Sequence, residues 1–230
     1  MQVAILAGGL GTRLRPLTNK IPKPMVPVNG KPFLEHELRM LKSKGFDEFV
    51  LCVGYLGNAI ENYFGNGEKF GVKISYSYDG ESLKGPAGAL KNAEALLGEV
   101  FFVTYADAFL ELDYAKILEK FSFSKKLGLM VVFENHNRFG KSDLIVKNGL
   151  VTKYSKTAQT PDMVWINYGV SLLKKKALVL IPKKGEVGEE EFYTKLIRAK
   201  ELLAYETKER FYEIGTPESL KEFEKYLAGK

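Results

Sequence analysis

Strand-like and helix-like segments alternate through the first half of this 230-residue chain, and that alternation limits the folds it can adopt. Apolar residues recur at helical spacing at Leu34, Leu38 and Leu41, and further helices are predicted at about 58–64 and 87–97. Four short runs rich in Val, Ile, Phe and Tyr are typical of buried strands: Gln2–Leu6, Glu48–Val53, Val72–Tyr78 and Val100–Thr104. A βαβα order of this kind predicts an α/β fold with a mostly parallel sheet and helices on both faces.

The second half is less regular, but it contains no internal repeat, low-complexity tract or Pro/Gly linker that would mark a domain boundary. Thr216 and Pro217 suit the N-cap and first turn of a last helix. Other elements are predicted there as strands at 127–133, 144–146 and 163–172, and as helices at 174–180 and 189–200. We therefore expect a single domain over residues 1–230, whose two halves, about 1–110 and about 111–230, share one pocket.

Composition excludes several classes of protein. No run approaches the ~18 apolar residues that cross a bilayer, and residues 1–6 are too short an apolar stretch for an export signal, so we expect a cytoplasmic protein with no membrane partner. Lys and Arg outnumber Asp and Glu by 34 to 28 but are scattered, which argues against nucleic acid as a ligand. The single cysteine, Cys52, lies in an apolar run and is expected to be a buried thiol. Only two histidines are present, which leaves no His-rich metal site.

The most informative segment follows the first predicted strand. It reads L-A-G-G-L-G-T-R-L-R-P-L-T over residues 6–18, with Pro22-Lys23-Pro24 just beyond. Three glycines within four residues at the carboxyl end of a strand let backbone N–H groups approach a phosphate closely. A tight turn that merely needs glycine is the alternative, but the nearby Arg13 and Lys23 favour an anion site. The glycine spacing fits neither a dinucleotide-binding G-x-G-x-x-G motif nor a P-loop.

This segment resembles the signature of the sugar nucleotidylyltransferases, L-A-G-G-x-G-T-R-L-x-P-L-T followed by P-K-P. Four further segments are similar to other motifs of that family, namely its helix entry, its metal-aspartate strand, its sugar-contacting strand and its second metal motif: residues 28–34, 101–107, 166–170 and 213–217. The resemblance implies a Rossmann-like, three-layer α/β/α fold with a mixed, mostly parallel central sheet. It also implies that the first half binds an NTP and the second half a sugar 1-phosphate, which react to give a nucleotide sugar and pyrophosphate.

The resemblance assigns roles to individual residues. Arg13 and Lys23 are implied to be catalytic, Arg13 binding the leaving pyrophosphate and Lys23 the reacting phosphates. Asp107 and Glu213 are implied to bind Mg²⁺, with Mn²⁺ as an alternative, since one or two carboxylates beside phosphate oxygens suffice for such a metal. The implied nucleotide-binding residues are Leu6, Ala7, Gly8, Gly9, Gly11, Thr12, Gly85 and Gly88. The implied sugar-phosphate-binding residues are Asn167, Gly169 and Lys156.

The chain departs from the family pattern at several of these sites. Pro86 replaces a threonine, Ala106 a glycine, Ser155 a glutamate and Glu213 an aspartate. These departures leave the base and the metal geometry open. The sequence also leaves open which phosphorylated substrate is used and whether the chain forms a homo-oligomer.

Two other functions remain open. A phosphocholine-type cytidylyltransferase would need an aromatic cage around the quaternary ammonium, for which Tyr105, Trp165 and Tyr168 are candidates. A catalytically silent paralogue, which would bind a nucleotide sugar and regulate a partner, would be expected to lack the catalytic basic residues. Arg13 and Lys23 are both present, which favours an enzyme.

Overall fold

A nine-stranded mixed sheet forms the centre of the fold in this computed structural model, which describes residues 1–229. The strands of the chain are β1 (Gln2–Ala7), β2 (Pro27–Val28), β3 (Lys31–Pro32), β4 (Glu48–Val53), β5 (Lys73–Tyr78), β6 (Val100–Tyr105), β7 (Ala108–Phe109), β8 (Gly128–Glu134), β9 (Leu144–Lys147), β10 (Leu150–Tyr154), β11 (Trp165–Lys174), β12 (Leu202–Thr207) and β13 (Tyr212–Glu213). The α-helices are α1 (Phe33–Ser43), α2 (Gly57–Phe64), α3 (Gly85–Asn92), α4 (Tyr114–Ser122), α5 (Glu189–Arg198) and α6 (Pro217–Ala228). Short 3₁₀ turns lie at 12–14, 17–19, 23–25, 68–70, 94–96 and 175–180.

The strand order β5-β4-β1-β6-β11-β8-β12-β10-β9 joins the two halves of the chain in one sheet. β5, β4, β1 and β6 are parallel neighbours, and α1, α2 and α3 provide the crossovers that parallel strands need. β11 runs antiparallel to both β6 and β8, and β12 is parallel to β8. All strands of this sheet except β10 and β11 point the same way, so the mixed, mostly parallel sheet predicted from the sequence is confirmed.

Two apolar cores lie on opposite faces of the sheet, because successive side chains of a strand point to opposite sides. Val3 and Ile5 of β1 pack in one core with α1, α2, α4 and α6. Ala4 and Cys52 pack in the other core with α3 and α5, and Cys52 is the buried thiol that the sequence predicts. The result is the expected three-layer α/β/α arrangement.

The predicted elements match best in the first half. The four strands predicted there and the first two helices lie within two residues of their predicted bounds, whereas α3 ends at Asn92 and is followed by a 3₁₀ turn. The two-residue strands β2, β3 and β7 were not predicted. In the second half, the predicted helix at 174–180 is a 3₁₀ turn, and the prediction missed the strands β10, β12 and β13. α5 ends early because Lys200 adopts a positive φ of 57°, which lets the chain enter β12 directly.

The last helix ties the end of the chain to the first half. The Thr216 hydroxyl accepts the Ser219 N–H at 3.2 Å and the Ser219 hydroxyl accepts the Thr216 N–H at 3.0 Å, so the predicted N-cap forms a reciprocal capping box. Phe223 of α6 is fully buried, and its ring centre lies 5.0 Å from those of Phe33 and Phe109. This packing holds β13 beside β7. Within residues 1–229, no helix is long and apolar enough to cross a bilayer.

Candidate active site

The glycine loop that follows β1 forms one wall of a cavity of about 250 Å³, which we call the first cavity. Four predicted nucleotide-binding residues line it: Leu6, Ala7, Gly8 and Gly9. Close packing favours a glycine at position 8, because a Cβ there would lie 3.2 Å from Asp79 Oδ2 and 3.3 Å from the Gly54 nitrogen. The loop therefore offers backbone to the cavity, which suits a phosphate-bearing ligand.

Gly11 and Thr12, also predicted to bind nucleotide, lie outside this lining. Gly11 has a φ of 62°, and its carbonyl accepts the Leu14 N–H at 3.0 Å and the Thr18 hydroxyl at 2.8 Å. A Cβ on Gly11 would lie 3.2 Å from Lys23 Cβ. Gly11 thus allows the turn to pack against Lys23, while Thr12 is exposed at the start of a 3₁₀ turn.

Lys23 is the buried cation of the first cavity. Its ammonium lies 2.6 Å from Asp107 Oδ2, and the residue is 9% exposed. Pro22 and Pro24 restrict the backbone on either side of it, and Asp107 lies two residues beyond the end of β6, a strand with a buried centre. The pair therefore links the glycine-loop region to the carboxyl edge of the sheet, where open α/β sheets bind their ligands.

The short ladder between β7 and β13 brings Glu213 beside Asp107. Glu213 is paired with Ala108, and the Ile214 N–H donates to the Asp107 carbonyl at 3.1 Å. The Asp107 and Glu213 carboxylates both line a second cavity of about 290 Å³. Asp107 and Glu213 are 106 residues apart in the chain. The pairing of two short strands, β7 and β13, with two residues each, brings them together.

Arg13 is exposed and lies at the same edge. A Cβ added to Gly215 would lie 3.0 Å from Arg13 Nη2 and 2.9 Å from Glu213 Oε2. A side chain at position 215 would therefore displace one of these groups. Glycine there lets a guanidinium, which stays charged at any ordinary pH, lie near the Glu213 carboxylate.

Asp107 and Glu213 are the donor pair available for a divalent metal. Within residues 1–229, no group of three or more His, Cys, Asp or Glu side chains is arranged to hold a metal ion by itself. Mg²⁺ is commonly bound by one or two carboxylates together with phosphate oxygens and water. Two carboxylates on paired backbone segments fit a metal of this kind that arrives with a nucleotide.

The second cavity shares Tyr105 and Asp107 with the first, so the two cavities meet at the end of β6. All three predicted sugar-phosphate-binding residues line it: Asn167, Gly169 and Lys156. Asn167 Oδ1 accepts the Gly169 N–H at 3.0 Å, and Gly169 has a φ of 77°. This turn exposes backbone and one amide side chain to the second cavity.

Glu189, at the start of α5, organises the polar side chains of the second cavity. It is 8% exposed, forms an ion pair with the Lys156 ammonium and accepts hydrogen bonds from the hydroxyls of Tyr105 and Tyr154. Burial, together with the nearby Glu189 carboxylate, raises the pKa of Tyr105 well above its ordinary value. The Tyr105 hydroxyl therefore remains a donor, and Lys156 is held at the cavity by a buried carboxylate.

Asp143 is a second buried carboxyl in this cavity, at 7% exposure. The Asn167 N–H donates to its Oδ1 at 3.1 Å. Burial raises the pKa of Asp143 to about 7, an effect that the Asn167 N–H and the Lys156 charge partly offset. Near neutral pH the Asp143 carboxyl can therefore both donate and accept hydrogen bonds, which suits a hydroxyl-bearing ligand.

The start of α3 contributes Gly85, Pro86 and Ala89 to the first cavity. Gly85 has a φ of 72°, and a Cβ there would lie 2.6 Å from the Val187 carbonyl oxygen. Gly88 is not brought to the first cavity, because its N–H donates to the same Val187 carbonyl at 3.2 Å and the residue borders a separate depression. Of these two predicted nucleotide-binding glycines, only Gly85 lines the cavity.

The sequence did not predict three buried acidic residues that line these cavities: Asp79, Asp143 and Glu189. A signal exists for Asp79, because it directly follows β5 and precedes a glycine, at the same edge of the sheet as Asp107. Asp143 and Glu189 carry no local motif. They reach the second cavity at the starts of β9 and α5, whose position next to β11 depends on the tertiary fold.

Comparison with known proteins identifies the family of the chain. The family model described as nucleotidyl transferase matches residues 2–229. The chain belongs to the nucleotidyl transferase family. The chain is 32% identical over 223 residues to the D-glycero-alpha-D-manno-heptose 1-phosphate guanylyltransferase of Campylobacter jejuni. The match covers 97% of this chain and 98% of that protein.

Solved structures agree with this assignment. The chain is similar to HddC from Yersinia pseudotuberculosis, a structure solved in complex with GMP-PN. The TM-score is 0.78 and the sequence identity 29%, and the match covers 98% of this chain and 99% of that chain. The inositol-1-phosphate CTP transferase from T. maritima shares the fold, with a TM-score of 0.81, 19% identity and coverage of 99% and 94%. The Rossmann-like fold expected from the sequence is therefore confirmed over the whole described chain.

Proposed function

We propose that this protein joins a sugar 1-phosphate to a nucleoside triphosphate, giving a nucleoside-diphosphate sugar and pyrophosphate. The observation that carries the proposal is the Lys23–Asp107 pair, because Asp107 lies where the two cavities meet. A nucleotide in the first cavity and a sugar phosphate in the second would bring their phosphates together at this pair. The heptose 1-phosphate guanylyltransferase of Campylobacter jejuni, similar over its full length, supports this class of reaction.

In the proposed reaction, an oxygen of the sugar phosphate forms a bond to the α-phosphorus of the NTP. The bond from that phosphorus to the pyrophosphate oxygen breaks on the opposite side, and pyrophosphate leaves with the electron pair. Such a displacement needs positioning and charge neutralisation more than covalent help. Lys23 would donate to the reacting phosphate, Arg13 would bind the leaving pyrophosphate, and the N–H groups of residues 8–9 would orient the phosphate chain.

We also propose that Asp107 and Glu213 hold Mg²⁺, with Mn²⁺ as a substitute. When bound, this ion would neutralise phosphate charge. The β7–β13 ladder supports the proposal, since it pairs Glu213 with Ala108, the neighbour of Asp107, and both acidic residues line the second cavity. Glutamate at position 213 is longer by one methylene than the aspartate of the family pattern, so we expect Mn²⁺, a less demanding cation than Mg²⁺, to support activity at least as well.

For the sugar phosphate, we propose contacts in the second cavity. The Lys156 ammonium would bind the phosphate, and the Asn167 amide and the Gly169 region would bind sugar hydroxyls. Supporting this, all three residues line the cavity that begins at Asp107. The Asp143 carboxyl adds a further partner for hydroxyl groups, because it has a pKa of about 7.

A phosphocholine substrate is a weaker candidate. Of the three aromatic residues considered for a cage, Tyr105 and Tyr168 line the second cavity but Trp165 does not. The Tyr168 ring stacks on Phe133 with centres 4.9 Å apart, which occupies one of its faces. These positions favour a hydroxylated substrate over a quaternary ammonium.

The deciding experiment measures pyrophosphate release with four NTPs, each combined with a panel of sugar 1-phosphates and with phosphocholine. We expect release only when an NTP and a sugar 1-phosphate are both present, and the K23A variant gives the background. Release that occurs without any phosphate acceptor would contradict the proposal. Release supported by phosphocholine alone would replace it with the alternative.

A further inference from the structure

The outer side of α3 borders a depression that the proposed reaction leaves unused. Gly88 lies there instead of at the first cavity, together with three lysines and one glutamate: Lys84, Lys91, Lys183 and Glu94. Segment 182–185 forms the opposite wall. We call this site the α3 depression; its volume is about 260 Å³, close to that of the first cavity.

The lining of the α3 depression has an excess of positive charge. Its only carboxylate, Glu94, lies 2.8 Å from the Lys91 ammonium. Among residues 1–229, no carboxylate lies within 4 Å of the Lys84 or Lys183 ammonium. Each ammonium brings three N–H donors and no acceptor. A concave site with unpaired ammonium groups on its lining suits an anion that has several acceptor oxygens.

Gly88 keeps a concave surface between two of these lysines. Lys84, Gly88 and Lys91 are spaced by four and three residues, so they share one face of the α3 region. A Cβ at position 88 would lie 3.1 Å from Lys84 Cβ and 3.7 Å from the Gly185 carbonyl oxygen. A side chain there would therefore fill part of the space between α3 and the opposite wall.

We propose that the α3 depression binds a phosphate group, either as inorganic phosphate or as the phosphate monoester of a small metabolite. Lys84 and Lys91 would donate to its oxygens from the α3 side, and Lys183 from the opposite wall. The site lies outside the linings of the first and second cavities, apart from the residues given roles in the reaction. Phosphate binding at this site therefore does not depend on the proposed function.

The opposite wall continues into a segment that also shapes the first cavity. The Val187 N–H donates to the Lys84 carbonyl at 2.7 Å, and the Val187 carbonyl accepts the Gly88 N–H at 3.2 Å. Gly85 and Glu186, the neighbours of these contacts, line the first cavity. A phosphate that bridges Lys84 and Lys183 would hold the two walls together beside that lining. We therefore expect phosphate and an NTP to strengthen each other's binding by the same factor.

Two-dimensional ¹H–¹⁵N NMR of the full chain tests the site residue by residue. We expect inorganic phosphate, compared with sodium chloride at equal ionic strength, to give saturable shifts of the Gly88 and Gly185 amide signals. K183M should weaken this binding about threefold to tenfold, between the scale of a surface ion pair and that of a charge-assisted hydrogen bond. K184M removes the next lysine, which is exposed and does not line the depression, so this matched control should bind like the wild type.

Two results would overturn the inference. Saturable shifts at Gly8 and Gly9 alone would place the phosphate in the first cavity. Equal losses of affinity in K183M and K184M would indicate general attraction to a basic surface. A parallel titration with glycerol 3-phosphate distinguishes the two sources, because tighter binding than phosphate supports a monoester ligand and weaker binding supports inorganic phosphate.

The coupling to the first cavity rests on the proposed function for its nucleotide and has its own test. Calorimetry measures the affinity of the wild type and K183M for each of the four NTPs, with and without phosphate. We expect phosphate to raise the NTP affinity of the wild type relative to K183M by about fivefold or more. An equal phosphate effect on both proteins would overturn the coupling. Because the NMR titration uses no nucleotide, failure of the proposed reaction would leave the phosphate site standing.

Discussion

At the scale of single residues, Lys23 is the side chain whose loss should separate catalysis from folding. Its ammonium is buried against Asp107, whose side chain keeps 35% exposure and can be solvated when the partner is removed. We expect K23A to lower kcat by about 10²–10³-fold, the scale for losing one preorganised charge. Steady-state pyrophosphate release measures this, and urea unfolding should show little change in stability.

Lys20 provides the matched control, because it is an exposed lysine three positions earlier in the chain. The K20A variant should retain wild-type kcat. If K23A turned over at a near-normal rate, Lys23 would have no part in the chemistry.

Asp143 should give the fold a measurable pH dependence. Its pKa is about 7 in the folded state, mainly because of burial, against 3.8 for an ordinary aspartate. Since the folded-state value is the higher one, the favourable contribution of Asp143 is complete below about pH 4 and is lost as the pH rises through 7. Asparagine does not titrate, so the stability of D143N relative to wild type should increase between about pH 4 and 7 and then level off, by a few kcal/mol at most.

Urea unfolding at several pH values between 4 and 8 tests this expectation. Asp162 is an exposed carboxyl whose pKa is lowered, first by a hydrogen bond from Thr160, so any trend in a D162N control should have the opposite sign. A stability difference for D143N that does not change with pH would show that Asp143 ionises normally in the fold.

At the scale of elements, the start of α3 depends on a glycine that also shapes the first cavity. Gly85 and Gly30 have similar φ values, 72° and 80°, but a Cβ at Gly85 would lie 2.6 Å from the Val187 carbonyl oxygen while one at Gly30 would meet nothing within 4 Å. We expect G30A to cost about 1 kcal/mol, the penalty for a left-handed residue with a side chain. G85A should cost about 1–3 kcal/mol more, because backbone must move.

Urea unfolding and nucleotide affinity distinguish the two variants. Because Gly85 lines the first cavity, G85A should weaken NTP binding as well, whereas G30A, in the turn between β2 and β3, should not. Equal stabilities of the two variants would mean that the Val187 segment moves aside without cost.

The sequence predicts elements well where local signals mark both of their ends. The β1–β6 region is of this kind, since each of its four strands in the nine-stranded sheet is a compact run rich in Val, Ile, Phe or Tyr and each α-helix is bounded by glycine, proline or a polar turn. β10 and β12 escape prediction because they mix buried residues with exposed polar ones. Asp107 is predictable because it comes two residues after a largely buried strand, whereas Glu189 has three partners that only the tertiary fold brings together.

At the scale of the whole molecule, the two halves have no independent core. β6 of the first half pairs with β11 of the second, with Val103 opposite Ser171 and Phe102 opposite Leu172. α6 packs Phe223 on Phe33 of α1, so the end of the chain helps to cover the first half. The candidate active site has the same dependence, because Asp107 and Glu213 come from different halves.

This shared core predicts that residues 1–230 unfold as one cooperative unit, and the chain contains a natural probe in each half. Cys52, its only cysteine, is 1% exposed in β4, and burial raises the pKa of its thiol to about 12, so it should resist thiol reagents until the first half opens. Trp165, its only tryptophan, begins β11 and reports on the second half by fluorescence. In urea, pulse labelling of Cys52, Trp165 fluorescence and far-UV circular dichroism should give superimposable curves.

A C52A variant provides the labelling background and should leave the fluorescence curve nearly in place, since only one sulfur atom is lost from the core. Labelling at lower urea than the fluorescence change would mean that the first half opens alone and that the chain is two domains. Coincident curves that shift together to higher urea when an NTP is added would show that one bound ligand stabilises both halves, because binding is linked to folding.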